Sequence, residues 1–335
     1  MGKKRKVSIA DVAQRAKVSI STVSRVLNKF PTVSKDNQAR VEEAIAYLKY
    51  QPDVSAQRLA SGRNDAIGLV MPGYPGIFHS FYAIEIIRGV GHACETLRLD
   101  LIFHITNGMN PLNTKSVGGI IFADIIENRK QVMDALHNDT PAMVINNIVN
   151  DIDVNYIGID NVSGAQIAAE YLANLGHRRI ATISGNPQTQ AGAQRLEGFK
   201  KIVQRKDLSV PKEYIVEGDY SRRSARIAAE KLLELDQPPT AIFAASDDMA
   251  LETITVAMEK GLRIPEDLSV IGFDDNPSSI YGPVALTTIR QPLFNMAEEA
   301  VKYLFNIMTG KRKAMVQKVL TPQLIVRDSC TAPKK

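Results

Sequence analysis

From residue 66 onward, short apolar runs alternate with longer amphipathic stretches, and this alternation limits the fold more than any other feature of the sequence. Runs typical of strands lie at residues 66–71, 100–105, 117–122, 142–145, 179–184, 240–245 and 268–273. Stretches typical of helices lie at residues 80–97, 128–137, 163–175, 193–205, 221–235 and 247–260. Such alternation predicts parallel, doubly wound α/β sheets, which bind ligands at the carboxyl ends of their strands. Because the pattern passes through two cycles, at about 64–160 and 161–289, it predicts two similar lobes.

The first 49 residues predict a separate, smaller helical unit. Ser8 can cap a helix, and Asp11 follows it at the capping-box spacing. Ser19 is a second candidate cap for a short helix, and Ser34 begins a third helix that extends to Lys49. Two short helices joined by a tight turn indicate a helix-turn-helix. A plain three-helix bundle is the alternative.

The charge of the chain is divided between its two parts. Residues 1–63 contain 13 Lys and Arg against 5 Asp and Glu, whereas the remaining residues contain 28 against 31. A basic head on a slightly acidic body favours a polyanionic partner for the head, although a solvated surface would carry the same charge. The basic run at residues 3–6 also fits a nuclear-localisation pattern, but its position favours a basic arm beside DNA phosphates.

Several functional classes find no support in the sequence. No apolar run approaches the roughly 18–20 residues that span a bilayer, and no apolar segment typical of a secretory signal follows the basic start. The only cysteines, Cys94 and Cys330, lie far apart, which suits a reducing cytoplasm. Phosphate-binding, zinc and nucleophile-elbow motifs are missing, and the five histidines are scattered. We therefore expect a cytoplasmic protein that is not an enzyme, with no catalytic residues, cofactor or metal and no membrane partner.

Two segments carry a family resemblance. VSIADVAQRAKVSISTVSRVLN at residues 7–28 and VSKDNQARVEEAIAYLKYQPDVSAQRLASGR at residues 33–63 resemble the head and hinge of the lactose/galactose repressor family of bacterial transcriptional regulators. The resemblance implies a DNA-binding domain at 1–49, a hinge at 50–63 and an effector-binding and dimerisation domain at 64–335. The last would resemble periplasmic sugar-binding proteins. Lobe 1 would combine about 64–160 with 291–320, and lobe 2 would combine about 161–290 with 321–335, with crossings near Asp160, Gln291 and Leu320.

The same resemblance implies roles in binding operator DNA. It places Ile20, Ser21 and Arg25 against the bases, and it gives contacts to the DNA backbone to Ser8, Ser19, Thr22, Ser24 and Asn28. The hinge segment 53–60, which includes Ala56, resembles the family segment that becomes helical on the operator. Leu59 occupies the position of a leucine that is driven into a base step of the minor groove. Alternatively, Leu59 packs on the core of the domain at 64–335.

The resemblance also implies an effector site between the lobes. Arg195 in AGAQRLEGF and Asp274 in VIGFDDNP match the arginine and the carboxylate that hold ligand hydroxyls. Further ligand positions align with Ser246, Tyr220, Asn147 and Gln291, although single polar residues are often surface groups. His177, the turn at 185–187 and the pair Asp247 and Asp248 are interpreted as turn and scaffold residues. We expect a homodimeric repressor with a sugar-like effector; a purine or a phosphoprotein also occurs among relatives.

One segment departs from the family pattern. Relatives have a strand, an acidic loop and a whole helix before the strand that here reads VGGII, whereas this chain has only residues 106–116. That segment is too short for a helical crossover between parallel strands. Either lobe 1 lacks a helix or the sequence omits one.

Overall fold

The structure, a computed structural model, describes residues 7–27, 30, 32–50, 64–73, 77–107, 109–125, 128–208, 210–312 and 314–334. The chain divides into two compact units between Asn64 and Asp65. We call the first unit the head and the second the sensor, and describe each by itself. No helix in these described ranges is both long and apolar enough to cross a membrane.

The described part of the head contains three helices, α1 (Ile9–Ala16), α2 (Ile20–Leu27) and α3 (Lys35–Leu48). The Ser8 side chain accepts from the Asp11 backbone and Asp11 reaches back to Ser8, so the predicted capping box is confirmed. Lys17 ends α1 in a left-handed conformation, with φ of 55°. The helices enclose a small apolar core formed by Val12, Ala13, Ala16, Val23, Val41 and Ala44.

Twelve strands lie in the described part of the sensor and form two six-stranded sheets. Their bounds are β1 Ala66–Pro72, β2 Asp100–Thr106, β3 Gly119–Phe122, β4 Ala142–Ile145, β5 Asn155–Ile159, β6 Ile180–Ser184, β7 Ile215–Glu217, β8 Ala241–Ala244, β9 Ser269–Asp274, β10 Thr287–Arg290, β11 Gln317–Leu320 and β12 Gln323–Ile325. The sheet of lobe 1 has the order β11-β5-β4-β3-β1-β2, and that of lobe 2 has the order β12-β10-β9-β8-β6-β7. All neighbouring strands are parallel except β10 and β12. The predicted doubly wound α/β fold is confirmed.

Helices cover both sheets. Lobe 1 has α4 (Phe81–Leu97), α5 (Arg129–His137) and α10 (Leu293–Met308), and lobe 2 has α6 (Asn161–Asn174), α7 (Gln190–Arg205), α8 (Arg222–Leu233) and α9 (Asp247–Glu259). The inner strands β1, β3, β4, β6 and β8 are buried along their whole length because both faces of each sheet are covered there. Side-chain caps begin most of these helices, and Ser80, Asp160, Thr189, Ser221 and Ser246 each accept a bond from the first turn.

The chain passes three times between the two sheets. It leaves the sheet of lobe 1 after Ile159 and enters α6 of lobe 2. It leaves lobe 2 after Arg290 and forms α10 of lobe 1, and it passes from β11 to β12 after Leu320. Two adjacent crossings are joined, since the backbone of Asp160 donates to the carbonyl of Leu320 at 2.9 Å.

The short segment after β2 passes from the edge of the sheet to β3 without an α-helix among its described residues. It contains a single turn of 3-10 helix, Thr114–Ser116. Leu112 lies where Gly68 of β1 has no side chain, because a Cβ at Gly68 would come within 2.3 Å of its Cδ2. One leucine therefore covers part of the sheet that a crossover helix would otherwise cover.

Candidate functional site

The second helix of the head presents the side chains expected of a recognition helix. Ile20 is 51% exposed at its first position, Ser21 and Arg25 are exposed, and Thr22 and Ser24 are half-buried. Val23 is fully buried and holds the helix on the head's core. Val26 and Leu27 pack against the same core, so the helix has an apolar inner face and an outward surface of small hydroxyls, one isoleucine and one arginine.

Two of the predicted contacts to the DNA backbone have hydroxyls engaged within the head. The Ser8 hydroxyl donates to Asp11 Oδ2 at 2.7 Å. Ser19 Oγ accepts from the Thr22 backbone at 3.2 Å and lies 2.8 Å from Ser21 Oγ, so it caps α2 as predicted. Asn28, Ala56 and Leu59, which the sequence also assigned to DNA binding, lie outside the described residues.

The carboxyl ends of the parallel strands of lobe 2 bring several of the predicted effector residues together. Ala245 and Ser246 follow β8, Asp274 ends β9, and Gln291 follows β10. Arg195 reaches this edge from α7, where it is 4% exposed. The edge thus combines a buried guanidinium with a carboxylate at the place where doubly wound sheets bind ligands.

The guanidinium of Arg195 is held by two hydrogen bonds. Its Nε donates to Asn161 Oδ1 at 2.9 Å and its Nη1 donates to the Ala245 carbonyl at 2.6 Å. Nη1 also lies 3.8 Å from Asp274 Oδ1. These contacts, from the start of α6 and the ends of β8 and β9, orient a bidentate donor beside a carboxylate.

A phenyl ring supports the same guanidinium. Arg195 Cζ lies 3.7 Å from the centroid of the Phe273 ring, which is fully buried in β9. Gly164 of α6 leaves room for that ring, since a Cβ there would come within 2.8 Å of it. The stacking places a flat, weakly hydrated cation on a rigid apolar support.

Asp274 has a constrained backbone and a fixed carboxylate. Its φ is 129° and that of Asp275 is 61°, both in the region that favours glycine. Gln291 Nε2 donates to Asp274 Oδ1 at 2.5 Å, and among the described residues Gln291 Oε1 is a buried acceptor without a hydrogen-bond partner. Burial raises the pKa of Asp274, and the neighbouring Arg195 opposes this rise.

A second carboxylate, that of Asp247, lies near the carboxylate of Asp274. Asp247, at the start of α9, is fully buried and accepts from the Asn276 backbone at 2.7 Å and from the Thr288 hydroxyl. Burial and then the charge of Asp274 raise its pKa. The sequence interpretation of Asp247 as a scaffold residue fits these bonds, but its proximity to Asp274 was not expected.

Asp275 bridges two arginines from the segments that flank the crossings. Its Oδ1 lies 2.6 Å from Arg327 Nη2, and its Oδ2 lies 2.6 Å from Arg290 Nε. Arg327 further donates to the Leu286 carbonyl at 2.8 Å. These contacts hold Asp274 and Asp275, the two residues of positive φ, beside β10 and the C-terminal segment.

The remaining predicted effector residues have different surroundings. Tyr220, with φ of 71°, lies across Gly185, where a Cβ would come within 2.2 Å of the ring. Ser246 is buried and its Oγ caps α9 by accepting from Met249 at 3.3 Å. Asn147 belongs to lobe 1, is buried, and accepts from the Ile125 backbone at 3.3 Å. Tyr220 is thus close to Gly185 after β6, whereas Ser246 and Asn147 have local structural bonds.

A side-chain amide joins the two lobes. Gln190 is the first residue of α7 in lobe 2, and Ile148 follows β4 in lobe 1. Gln190 Oε1 accepts from the Ile148 backbone at 2.7 Å, and its Nε2 donates to the Ile148 carbonyl at 2.9 Å. The carboxyl edge of lobe 1 therefore meets that of lobe 2 at this contact, and the Arg195–Asp274 pair lies at the carboxyl edge of lobe 2.

In the described residues, no group of three or more His, Cys, Asp or Glu side chains could hold a metal ion.

Comparison with known proteins assigns the family. Residues 8–53 match the model of the lacI family of bacterial regulatory proteins, and residues 169–330 match a periplasmic binding protein-like domain. Catabolite control protein A of Priestia megaterium is 33% identical over 311 residues, which cover 90% of this chain and 92% of that protein. The chain belongs to the lacI family. As a member of it, the chain is a DNA-binding transcriptional regulator with an effector-binding domain.

Solved structures of other transcriptional regulators share its fold. The Lac repressor dimer bound to operator and the anti-inducer ONPF has a TM-score of 0.84 and 26% identity, covering 98% of this chain and all of that one. The complex of the transcriptional regulator CelR with cellobiose has a TM-score of 0.70 and 28% identity, covering 97% of this chain and all of that one.

Four residues of this candidate site were not singled out from the sequence. They are Asn161, Gln190, Phe273 and Asp275, and they orient Arg195, join the lobes, support the guanidinium and bridge two arginines. Position relative to a predicted strand or crossing was the available signal, because Phe273 and Asp275 flank Asp274 and Asn161 follows Asp160. Gln190 carries no such signal, since its partner is a main-chain group 42 residues away.

Proposed function

We propose that this protein is a homodimeric repressor whose affinity for operator DNA is controlled by a polyhydroxylated small molecule, a sugar or sugar derivative, bound between the lobes. The observation that carries the proposal is the buried pair of Arg195 and Asp274 at the carboxyl edge of lobe 2. A guanidinium donates to hydroxyl oxygens and a carboxylate accepts from hydroxyl hydrogens. The two together suit a ligand with adjacent hydroxyl groups.

The solved relatives support this ligand class. Cellobiose is bound to CelR, and the Lac repressor dimer is bound to operator with ONPF. We propose Arg195 and Asp274 as the principal contacts and Tyr220 as an aromatic surface for the sugar ring. Ser246, Asn147 and Gln291 are proposed at the margins, because their side chains already make structural bonds or orient Asp274.

For DNA, we propose that α2 enters the major groove. Its small hydroxyls permit close approach, Arg25 donates to a base or phosphate, and Ile20 contacts an apolar group such as a thymine methyl. The basic charge of residues 1–63 supplies binding to phosphates that is independent of sequence. The hinge and its Leu59 wedge belong to the same proposal.

Exposed apolar side chains of the sensor support a dimer. In lobe 1, Phe78 and Phe103 have ring centroids 5.9 Å apart and are 47% and 38% exposed. In lobe 2, Ile280 and Tyr281 are 52% and 84% exposed. Large exposed hydrophobic residues in both lobes are typical of an interface that uses both.

The test combines a ligand panel with operator binding. Purified protein is screened by thermal shift against monosaccharides, disaccharides, sugar phosphates and nucleobases, and its operator is selected from random DNA. A sugar that raises the melting temperature and changes the operator Kd supports the proposal. A nucleobase that does so, with every sugar inactive, refutes the ligand class. Sedimentation equilibrium of the protein and of Phe103→Glu tests the dimer, because a charge at this surface should favour monomer.

A further inference from the structure

Asn161 stands at the junction between an interlobe crossing and the proposed effector site. It is the first residue of α6, directly after the first crossing, and is 1% exposed. Its Oδ1 accepts from Arg195 Nε at 2.9 Å, and its Nδ2 donates to the carbonyl of Ile159, the last residue of β5, at 3.3 Å. One amide thus connects the guanidinium in lobe 2 to the end of a strand in lobe 1.

The bond to Nε determines how the guanidinium is presented. A guanidinium is planar, so a bond at Nε and another at Nη1 fix both the plane and its rotation. Asn161 holds the first of these nitrogens and the Ala245 carbonyl holds the second, while the Phe273 ring supports the face. Nη2 lies outside these two bonds. Without Asn161, rotation about the Ala245 bond would no longer be limited by a second hydrogen bond.

The chemistry at this position requires an amide. Asn161 Nδ2 lies near two acceptors, the Ile159 carbonyl at 3.3 Å and Gln194 Oε1 at 3.5 Å. An aspartate would keep an acceptor for Arg195 but would place a second carboxylate oxygen against those acceptors. Both functions therefore need one acceptor and one donor on the same short side chain.

We propose that Asn161 is a positioning residue that sets the plane of Arg195 for the effector and ties it to the first crossing between the lobes. This inference rests on the proposed role of Arg195 in binding the effector. Asn161 contacts the ligand only through Arg195. Its loss therefore weakens effector binding only when Arg195 is present.

The first test observes the arginine without any ligand. The solvent exchange of the Arg195 Nε proton is measured by NMR in the full-length protein, with the signal assigned by its loss in Arg195→Lys. In the parent protein it should exchange much more slowly than the Nε proton of exposed Arg205 on the same helix. Asn161→Ala should accelerate it about tenfold. Equal rates for Arg195 and Arg205 in the parent, or no change in the variant, would overturn the proposal.

Asn174→Ala is the matched control. Asn174 ends the same helix, and its Oδ1 accepts from Lys206 at the surface at 3.1 Å. It should leave the Arg195 proton unchanged; an equal acceleration would show that any loss from α6 has this effect and would overturn the assignment. If Asn161→Ala does not fold, the same exchange measurement is made on Asn161→Ser. The comparison of Arg195 with Arg205 in the parent protein tests the proposal without any variant at Asn161.

The second test uses the sugar that gives the largest thermal shift with the parent. Asn161→Ala should raise its Kd about tenfold, and the double variant with Arg195→Ala should bind no worse than Arg195→Ala alone. Additive losses would overturn the proposal, because Asn161 would then act independently. If Arg195→Ala leaves sugar binding intact while the exchange rates respond to Asn161→Ala, the proposed function fails at this site and the positioning of Arg195 stands.

Discussion

The two lobes have sheets of equal size but bury different kinds of polar side chain. Lobe 2 buries the charged side chains of Arg195 and Asp247 and gives each of them hydrogen-bond partners. In the described part of lobe 1, the buried polar side chains are neutral, and they are Thr106, Asn128, Gln131 and Asn147. Because a buried charge is costly unless it is paired, lobe 2 must be organised around its charges in a way that lobe 1 is not. Similar folds therefore do not imply that the two lobes bury the same kinds of polar group.

The largest expected effect comes from comparing an ion pair of each lobe. Asp275→Ala leaves Arg327 in lobe 2 without its carboxylate, and both side chains are mostly buried, at 11% and 15% exposure. We expect a loss of about 3 kcal/mol in the free energy of unfolding, because an unpaired charge remains buried. Asp151→Ala in lobe 1 removes a carboxylate from exposed Arg129 and should have no measurable effect. Urea denaturation followed by circular dichroism measures both, and equal losses would remove the distinction between the lobes.

The next effect concerns the affinity for the effector. Arg195→Ala should raise the Kd of the sugar identified by thermal shift about tenfold to a hundredfold, since a charge-assisted hydrogen bond contributes about 1.5–3 kcal/mol. Arg205→Ala, an exposed arginine on the same helix, is the matched control and should bind as the parent does. Calorimetry measures both Kd values. An unchanged Kd in Arg195→Ala would show that the effector does not bind at this edge of lobe 2.

A smaller effect is the dependence of stability on pH. Burial raises the folded-state pKa of Asp247, so its neutral form is favoured in the folded protein. Asp247 therefore contributes to the free energy of unfolding in full below its ordinary pKa of 3.8. This contribution is lost as the pH rises through the raised pKa of the folded state. We therefore expect the urea midpoint of the parent protein to fall as the pH rises through this range. Asp247→Asn can still form hydrogen bonds with Thr288 and Asn276 but does not titrate, so its midpoint should fall less.

Asp267 provides the control of opposite sign. Hydrogen bonds from Arg263 and Lys334 lower the pKa of Asp267, so its contribution is present above pH 3.8 and is lost as the pH falls. Asp267→Asn should therefore matter at neutral pH and not in acid. If the urea midpoint changes between pH 5 and pH 9 in the parent protein just as it does in Asp247→Asn, the prediction for Asp247 is contradicted.

The smallest effect tests the contact between the lobes. Gln190→Ala removes both hydrogen bonds to Ile148, so the Ile148 amide should exchange with deuterium about fivefold faster, as expected for about 1 kcal/mol. Gln204→Ala, farther along the same helix, should not change it. Mass spectrometry of a peptide that contains Ile148 measures the rate. An unchanged rate would mean that this contact does not protect the lobe 1 edge in solution.

Most of the sensor's strands were predictable because they are buried apolar runs. The expectation of 142–145 agrees with β4, and β1, β2, β6, β8 and β9 differ from theirs by at most a few residues. Five strands, β5, β7, β10, β11 and β12, were not expected. Of these, β7 and β12 give no clear pattern, because each has three residues with no buried position. α10 was also not expected, although Leu293, Met296, Ala297, Ala300 and Leu304 have helical spacing and all face the core.

The site was predictable only in part. Arg195 and Asp274 came from a family resemblance, and the structure brings them within 3.8 Å. Their supports could not be derived from the sequence, because the contact of Asp275 with Arg327 joins residues 52 positions apart. Local spacing reports which side chains share a helix face or a strand edge, whereas these contacts depend on how two lobes are connected by three crossings.

Gly164 has a consequence for changing the specificity of such a sensor. Because a methyl group at Gly164 would reach the Phe273 ring that supports Arg195, a substitution there would act on the ligand through two intervening side chains. A library restricted to residues that touch the ligand would leave this position unsampled. If Arg195 and Asp274 bind the effector as proposed, a substitution at residue 164 would change the support of the guanidinium while leaving both of these side chains in place.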